Sequence, residues 1–161
     1  MMINIIACLS KNRAIGLNNQ LLYHIKADMA RFKQLTMGHT ILMGRRTYDS
    51  LPHGALPGRR NIVLSRQLQT LPDSEVYASL EMALEHCAED EYIYIIGGAE
   101  LYEQTIGMAQ RLYLTIVDDR PMYADTFFPL FESDFKLVSI SQYEKSEDAH
   151  YAFAFLEYVR V

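Results

Sequence analysis

The sequence predicts an α/β fold: a single domain over residues 1–161 with a mostly parallel central sheet of about eight strands, flanking helices and a C-terminal antiparallel hairpin. Three observations carry this expectation. Short apolar runs alternate with helical patterns, as they do where crossover helices join neighbouring strands. The runs are too continuously apolar for a sheet with one wet face, so both faces must be covered. The last two runs follow each other with no helix between them, as a hairpin requires. At 161 residues the chain is long enough to bury about two-thirds of its unfolded surface in one core.

The first strand is expected over 3–9, an apolar run from Ile3 to Leu9. A helix over 26–36 follows, with Ile25, Met29, Phe32 and Leu35 recurring at three- and four-residue steps. Strand 40–44 ends in Gly44, and a helix over 45–51 starts directly after it. Pro57-Gly58 fixes a turn ahead of strand 60–65. Strands 75–78 and 92–96 bracket a helix over 79–88. The second of them drives into Gly97-Gly98, and a helix over 99–105 begins at once. Strand 111–117 completes the parallel set, while 135–143 and 151–159 form the closing hairpin. No repeat, low-complexity segment or linker divides the chain.

Composition excludes several classes of function. A net charge of -5 argues against a general nucleic-acid binder, which needs an excess of Lys and Arg. No apolar run approaches the roughly 18 residues of a membrane span. Cys8 and Cys87 show neither metal nor redox spacing, as expected of a reduced cytoplasmic protein. The residues before Cys8 resemble a lipoprotein cleavage site but lack a basic segment and enough apolar length, so a buried strand is expected there. Charge is also uneven: five arginines and one acid lie between Arg45 and Arg66, against eight acids and three bases from Asp118 to Asp148. The arginine cluster is either a solvated face or the seat of an anionic small ligand.

In parallel sheets ligands gather at the carboxyl ends of strands. Here those ends are Cys8 to Ser10, Gly44 to Thr47, Ser65-Arg66, Gly97-Gly98 and Thr115. A Gly-Gly pair at a strand end is an ordinary turn, or it admits backbone close to a flat, charged ligand with a helix N-terminus behind it. Arg45, Arg46 and Arg66 suit a phosphate, whereas Arg59, in a separate loop, suits another anion such as a carboxylate. Asp28 borders the apolar stripe of its helix. It either complements the helix dipole or forms a desolvated carboxyl able to hold a proton. Asp118, Asp119 and Asp125 are expected in an acidic loop with no base nearby. His24, His39, His53, His86 and His150 are scattered without ligand spacing, so structural roles and no metal are expected. Neither a nucleophile elbow nor a phosphate-binding fingerprint is present.

These residues resemble the dihydrofolate reductase family over nearly the whole length. The resemblance is carried by Ala14-Ile15-Gly16-Leu17-Asn18-Asn19, Asp28-Met29-Ala30-Arg31-Phe32-Lys33 and Leu42-Met43-Gly44-Arg45-Arg46-Thr47-Tyr48. Leu56-Pro57-Gly58-Arg59-Arg60-Asn61, Ile96-Gly97-Gly98-Ala99-Glu100-Leu101-Tyr102 and Asp125-Thr126-Phe127-Phe128-Pro129 continue it in the family's order. It implies a cytoplasmic, monomeric oxidoreductase of tetrahydrofolate biosynthesis and one-carbon metabolism, a target of trimethoprim and methotrexate. The implied reaction reduces 7,8-dihydrofolate with NADPH, by hydride transfer to C6 and protonation at N5.

The resemblance also implies roles. Asp28 grips the pterin's 2-amino group and N3 and assists protonation, Thr115 bonds that carboxylate, and Tyr23 stands with them. Ile6 and Ala7 present carbonyls to the pterin, Met29, Phe32, Leu51 and Leu56 clasp the aminobenzoyl part with Ile96 nearby, and Arg59 takes the glutamate carboxylate. Gly97 and Gly98, joined in the family by a cis peptide, meet the cofactor's nicotinamide and pyrophosphate. Gly44, Arg45, Arg46, Thr47, Leu64, Ser65 and Arg66 hold its adenosine end, Arg66 favouring the 2′-phosphate. Ala7, Ile15, Gly16, Asn19, Ile96, Ala99, Glu100, Leu101, Tyr102 and Thr126 complete the implied cofactor set. Segment 14–24 is expected to be a loop acting as a lid, with Gly16 its pivot.

The chain departs from the family's usual pattern in three places. It has no Trp, and Tyr23 stands where the family usually places one. Lys26 replaces a common proline, and Glu100 an arginine of some relatives. Two rival readings are a riboflavin-pathway pyrimidine reductase, which the Asp28, Phe32 and Arg59 set opposes, and a non-catalytic folate- or nucleotide-binding protein.

Overall fold

The computed structural model describes residues 1–67, 69–145 and 150–161. Glu147 and Asp148 of the acidic stretch lie outside the described residues. The first half of the chain forms β1 (Met2–Ser10), β2 (Ala14–Leu17), β3 (Gln20–Leu21), α1 (Lys26–Thr36), β4 (Thr40–Gly44), α2 (Arg45–Ser50), β5 (Arg60–Leu64) and β6 (Ser74–Tyr77). The second half forms α3 (Leu80–Glu85), β7 (Tyr92–Ile95), α4 (Ala99–Thr105), β8 (Arg111–Val117), β9 (Thr126–Phe127), β10 (Phe135–Ile140) and β11 (Phe153–Arg160).

The large sheet has eight strands in the order β10-β11-β8-β1-β7-β4-β5-β6. From β8 to β6 all neighbours are parallel, and β11 and β10 join antiparallel, so the expected sheet and closing hairpin both form. Its middle strands are apolar because both their faces are covered. Ile5 sits between Ile95 of β7 and Leu112 of β8, and all three are wholly buried with Ile41, Leu42, Ile62 and Leu114. The helices also fall where expected; α3 is shorter than the 79–88 pattern, with Ser79 capping its start by accepting from the Met82 amide and His86 ending it. Among the described residues no helix is long and apolar enough to cross a membrane.

Two expectations need correcting. Segment 14–24 is not simply a loop: β2 and β3 pair within it, and β9 adds to make a second sheet in the order β3-β2-β9. Strands of two to four residues show no alternation in sequence, and these are set by a partner from far along the chain. Asp125 N–H donates to the Gly16 carbonyl (3.1 Å), the Asn18 N–H to the Asp125 carboxylate (3.0 Å), and Phe128 N–H to the Arg13 carbonyl (2.8 Å). The second correction concerns α1, where Met29 is 64% exposed while Phe32 and Leu35 pack on Ile41, Met43 and Tyr94. At about 100° per residue, Asp28 falls in angle between Phe32 and Leu35, whereas Met29 lies on the other side of Phe32. The buried face therefore takes in the acid and leaves the methionine at its rim.

Candidate active site

The chain leaves β4 toward β5 and β6 but leaves β7 across β1 to β8, so its connections diverge where β4 and β7 lie side by side. Open α/β sheets offer a crevice at such a point. Here Gly44 N–H donates to the Gly97 carbonyl (2.9 Å) and Ile96 N–H to the Leu42 carbonyl (3.0 Å). Gly97 has φ +128°, and a Cβ there would stand 3.3 Å from Thr47 Oγ1 and 3.4 Å from Tyr102 Oη. Only glycine leaves this backbone open, and the Gly97–Gly98 peptide is cis. Tyr102 Oη donates in turn to the Ile6 carbonyl (2.8 Å). Gly44, Thr47, Gly97, Tyr102 and Ile6, far apart in the chain, thus meet at one place.

The basic rim surrounds this crevice. Arg45 is braced by Asp49 (2.9 Å) and Gln69 (3.1 Å), and Arg46 donates to Asn19 Oδ1 (3.1 Å), which ties α2 to the segment bearing β2 and β3. Ser65 and exposed Arg66 follow Leu64 at the end of β5. Ala99 and exposed Glu100 open α4, whose Leu101 is buried beneath them. Gly16 packs against Thr126 of β9, and Ile15 lies in the main core with Ala7.

On the other side of the sheet end, Asp28 sits in the first turn of α1, half-buried. Thr115 Oγ1 donates to Asp28 Oδ1; Thr115 is only 2% exposed and lies opposite Cys8 in the β8–β1 register. Burial raises the Asp28 pKa, opposed by the Thr115 hydrogen bond and then by the positive charge of Arg31. The net effect is an acid that holds its proton to higher pH than a free carboxyl. Ile6, Phe32, Leu51, Leu56 and Ile96 gather in one apolar cluster beside it. Beyond them Arg59 is anchored by Thr36 Oγ1 (3.2 Å) and the Pro57 carbonyl (2.9 Å).

Tyr23 is placed differently from an aromatic that donates into this pocket. Its hydroxyl donates to Asp119 Oδ2 (2.8 Å), and its ring packs in a satellite cluster with Ile25, Val117 and Phe153. The loop after β8 is also not without a base, since Lys11 Nζ meets Asp118 Oδ1 at 2.8 Å. The base escaped notice because it lies more than 100 residues earlier, brought there by β1 pairing with β8. Two histidines take ring contacts, His39 with Tyr92 (5.3 Å) and His86 with Tyr77 (4.7 Å). No group of His, Cys, Asp and Glu able to hold a metal occurs among the described residues.

Sequence reasoning missed Arg31, Asp119 and Asp125 as residues of the site region. Arg31 was legible, for a cation three positions after Asp28 shares its helix face. The partners of Asp119 and Asp125 carry no local signal.

A helix N-terminus and arginines on one side of a glycine crevice, and one half-buried acid beside an apolar slot on the other, define a two-ligand enzyme of the nucleotide-dependent reductase class. A profile of the dihydrofolate reductase family matches residues 2–160. The chain is similar to the dihydrofolate reductase of Bacillus subtilis (strain 168), 41% identical with 98% of this chain and 94% of the relative covered. It is similar also to that of Neisseria gonorrhoeae, 46% identical over 79% of this chain and 78% of the relative. Among solved structures, dihydrofolate reductase from Enterococcus faecalis superposes with a TM-score of 0.88 at 27% identity, covering 99% of this chain and 96% of that one. The chain belongs to the dihydrofolate reductase family, and it is an oxidoreductase.

Proposed function

We propose that the chain, acting over residues 1–161 as one catalytic domain, reduces 7,8-dihydrofolate to 5,6,7,8-tetrahydrofolate with NADPH. The observation that carries this reading is the half-buried Asp28 carboxyl held by Thr115 beside a partly buried apolar cluster. Its two oxygens suit the adjacent 2-amino and N3 positions of a pterin, one accepting from each, while the second lone pair of Oδ1 takes the Thr115 hydroxyl. A carboxyl whose pKa is raised by burial is suited to handle the proton needed at N5. Phe32, Leu51, Leu56 and Ile96 shield the aminobenzoyl part from water, Met29 caps the rim, and Arg59 takes the glutamate carboxylate.

The cofactor fits the other half of the site. The Gly44–Gly97–Gly98 crevice is a cradle that a Cβ on Gly97 would fill, and the Enterococcus faecalis relative is complexed with NADP(H). When bound, NADPH supplies the hydride. Thr47, Gly97, Gly98 and Tyr102 orient it, and Arg45, Arg46, Ser65 and Arg66 bind its phosphates, Arg66 preferring the 2′-phosphate. Tyr23 acts by anchoring the chain between β3 and α1 to Asp119, and not by donating to the pterin. All these residues belong to one chain, which supports action as a monomer. Unpaired Cys8 and Cys87 support a cytoplasmic setting.

Dihydrofolate-dependent oxidation of NADPH, run beside Asp28→Asn, tests the reading. The parent turns over, and the variant loses about 10²-fold or more of kcat at neutral pH. If neither protein consumes NADPH while both ligands raise Tm, the chain is a binding protein and the proposal fails.

A further inference from the structure

Asp28 has a neighbour that no part of the reaction described so far uses. Arg31 lies one helical turn beyond it, with their Cβ atoms about 5–6 Å apart as i,i+3 spacing dictates. Its guanidinium is held in place by aromatic surfaces, 4.6 Å from the Phe155 ring centroid on β11 and 5.8 Å from that of Tyr113 on β8. Among the described residues it forms no salt bridge. The carboxylate on β11 facing it, Glu157, is shared with Arg111 at 2.5 Å and so offsets its charge only in part. A half-buried cation whose field is only partly offset acts on the acids around it, Asp28 ahead of Glu157.

We propose that Arg31, stacked on Phe155 and Tyr113, is a positioning residue whose fixed charge biases the Asp28 carboxyl toward its ionised, pterin-gripping form. This inference rests on the role of Asp28 given above. Of the other groups facing Asp28, only Thr115 works in the same direction as Arg31, and more strongly. Thr115 on β8 supplies a neutral hydroxyl, and the Cys8 thiol on β1 and Tyr102 phenol on α4 are both pushed further from ionisation by burial. Tyr113 on β8 is likewise kept neutral by burial, and Glu157 on β11 acts only by tempering Arg31. Burial therefore pulls the acid one way, Thr115 and then Arg31 pull it the other, and Arg31 supplies the full positive charge in that balance.

The titration of Asp28, followed by carboxyl 13C resonances in the ligand-free protein, tests this without reference to turnover. Replacing Arg31 by Met keeps a stem over Phe155 and removes the charge, so the midpoint moves to higher pH. Arg31→Lys restores it toward the parent. Glu157→Gln, which leaves Arg31 in place with its charge untempered, moves it to lower pH and provides a second reading should Arg31→Met fold poorly. The alkaline limb of kcat shifts in the same directions. An unmoved midpoint in Arg31→Met or Glu157→Gln, or a Lys variant shifted as far as the Met variant, overturns the inference. Asp28→Asn with full turnover would sink the catalytic role of Asp28 while leaving the titration shifts intact. A dead Asp28→Asn with unmoved titrations sinks Arg31 alone.

Discussion

Asp28 stores a conflict between function and stability. Its carboxyl is desolvated, so the native state binds a proton more tightly than the unfolded chain does. For an acid with a raised folded pKa, the linked stability is present below the unfolded carboxylate range. It is lost as pH rises through the folded value. At neutral pH the ionised form is thus a burden on the fold, and Asp28→Asn, whatever its turnover, is expected to melt above the parent at pH 7. That advantage shrinks as pH is lowered through the carboxylate range; thermal melts at several pH values check it. The position of Asp28 beside Phe32 and Leu35 was legible from helix geometry alone. The Tyr23–Asp119 bond was not, because a hydroxyl's partner 96 positions away leaves no trace in local pattern.

At the scale of elements, the turn between β7 and α4 shows how little freedom the cofactor half of the site has. Gly97→Ala would place a Cβ against Thr47 and Tyr102 at a backbone angle that L residues rarely adopt. The expected cost is about 1–3 kcal/mol of stability, together with a higher KM for NADPH and a smaller change for dihydrofolate. Equal increases in both constants would point to general distortion of the sheet end. The long apolar strands and α1 were legible because burial on two faces writes itself into composition. By contrast β2, β3 and β9 were hidden, since their pairing is dictated by the meeting of two distant segments.

Across the whole molecule, the two ends of the sheet carry different loads. The carboxyl ends hold the site, while near the opposite edge Arg60 bonds Glu75 (2.6 Å) and Glu91 (2.9 Å), and Thr40 joins Glu91 to link β4, β5, β6 and the entry to β7. Hydrogen bonding to Arg60 holds Glu75 below the usual carboxylate range. Burial alone would raise Glu91, but bonds from Thr40, Ala88 and Arg60 carry it downward. Acids with depressed folded values lend stability above the unfolded carboxylate range and lose it as pH falls through the folded value. Arg60→Met is therefore expected to cost about 2 kcal/mol at pH 7 and progressively less in acid, with activity per folded molecule little changed. A parent and variant with parallel pH–Tm curves would refute this. The alternation of strands and helices forecast the sheet from the sequence, whereas this network was opaque because its acids look like any solvated charges.

The bonds from Asp125 to Gly16 and Asn18 close a loop of over 100 residues. β1 and β8 span a similar separation, but they repay the closure with a register running from Asn4 to Ser10, whereas β2 and β9 share only two paired positions and are expected to close later. During refolding, far-ultraviolet dichroism should recover with the strand runs of the large sheet, and NADPH oxidation should return in a slower step. The enzyme would then exist for a time as a nearly complete scaffold without competence. Pulse-labelled amide exchange at Asn18 and Asp125 would time its acquisition; protection there as early as in β1 and β8 would show instead that scaffold and entrance mature together.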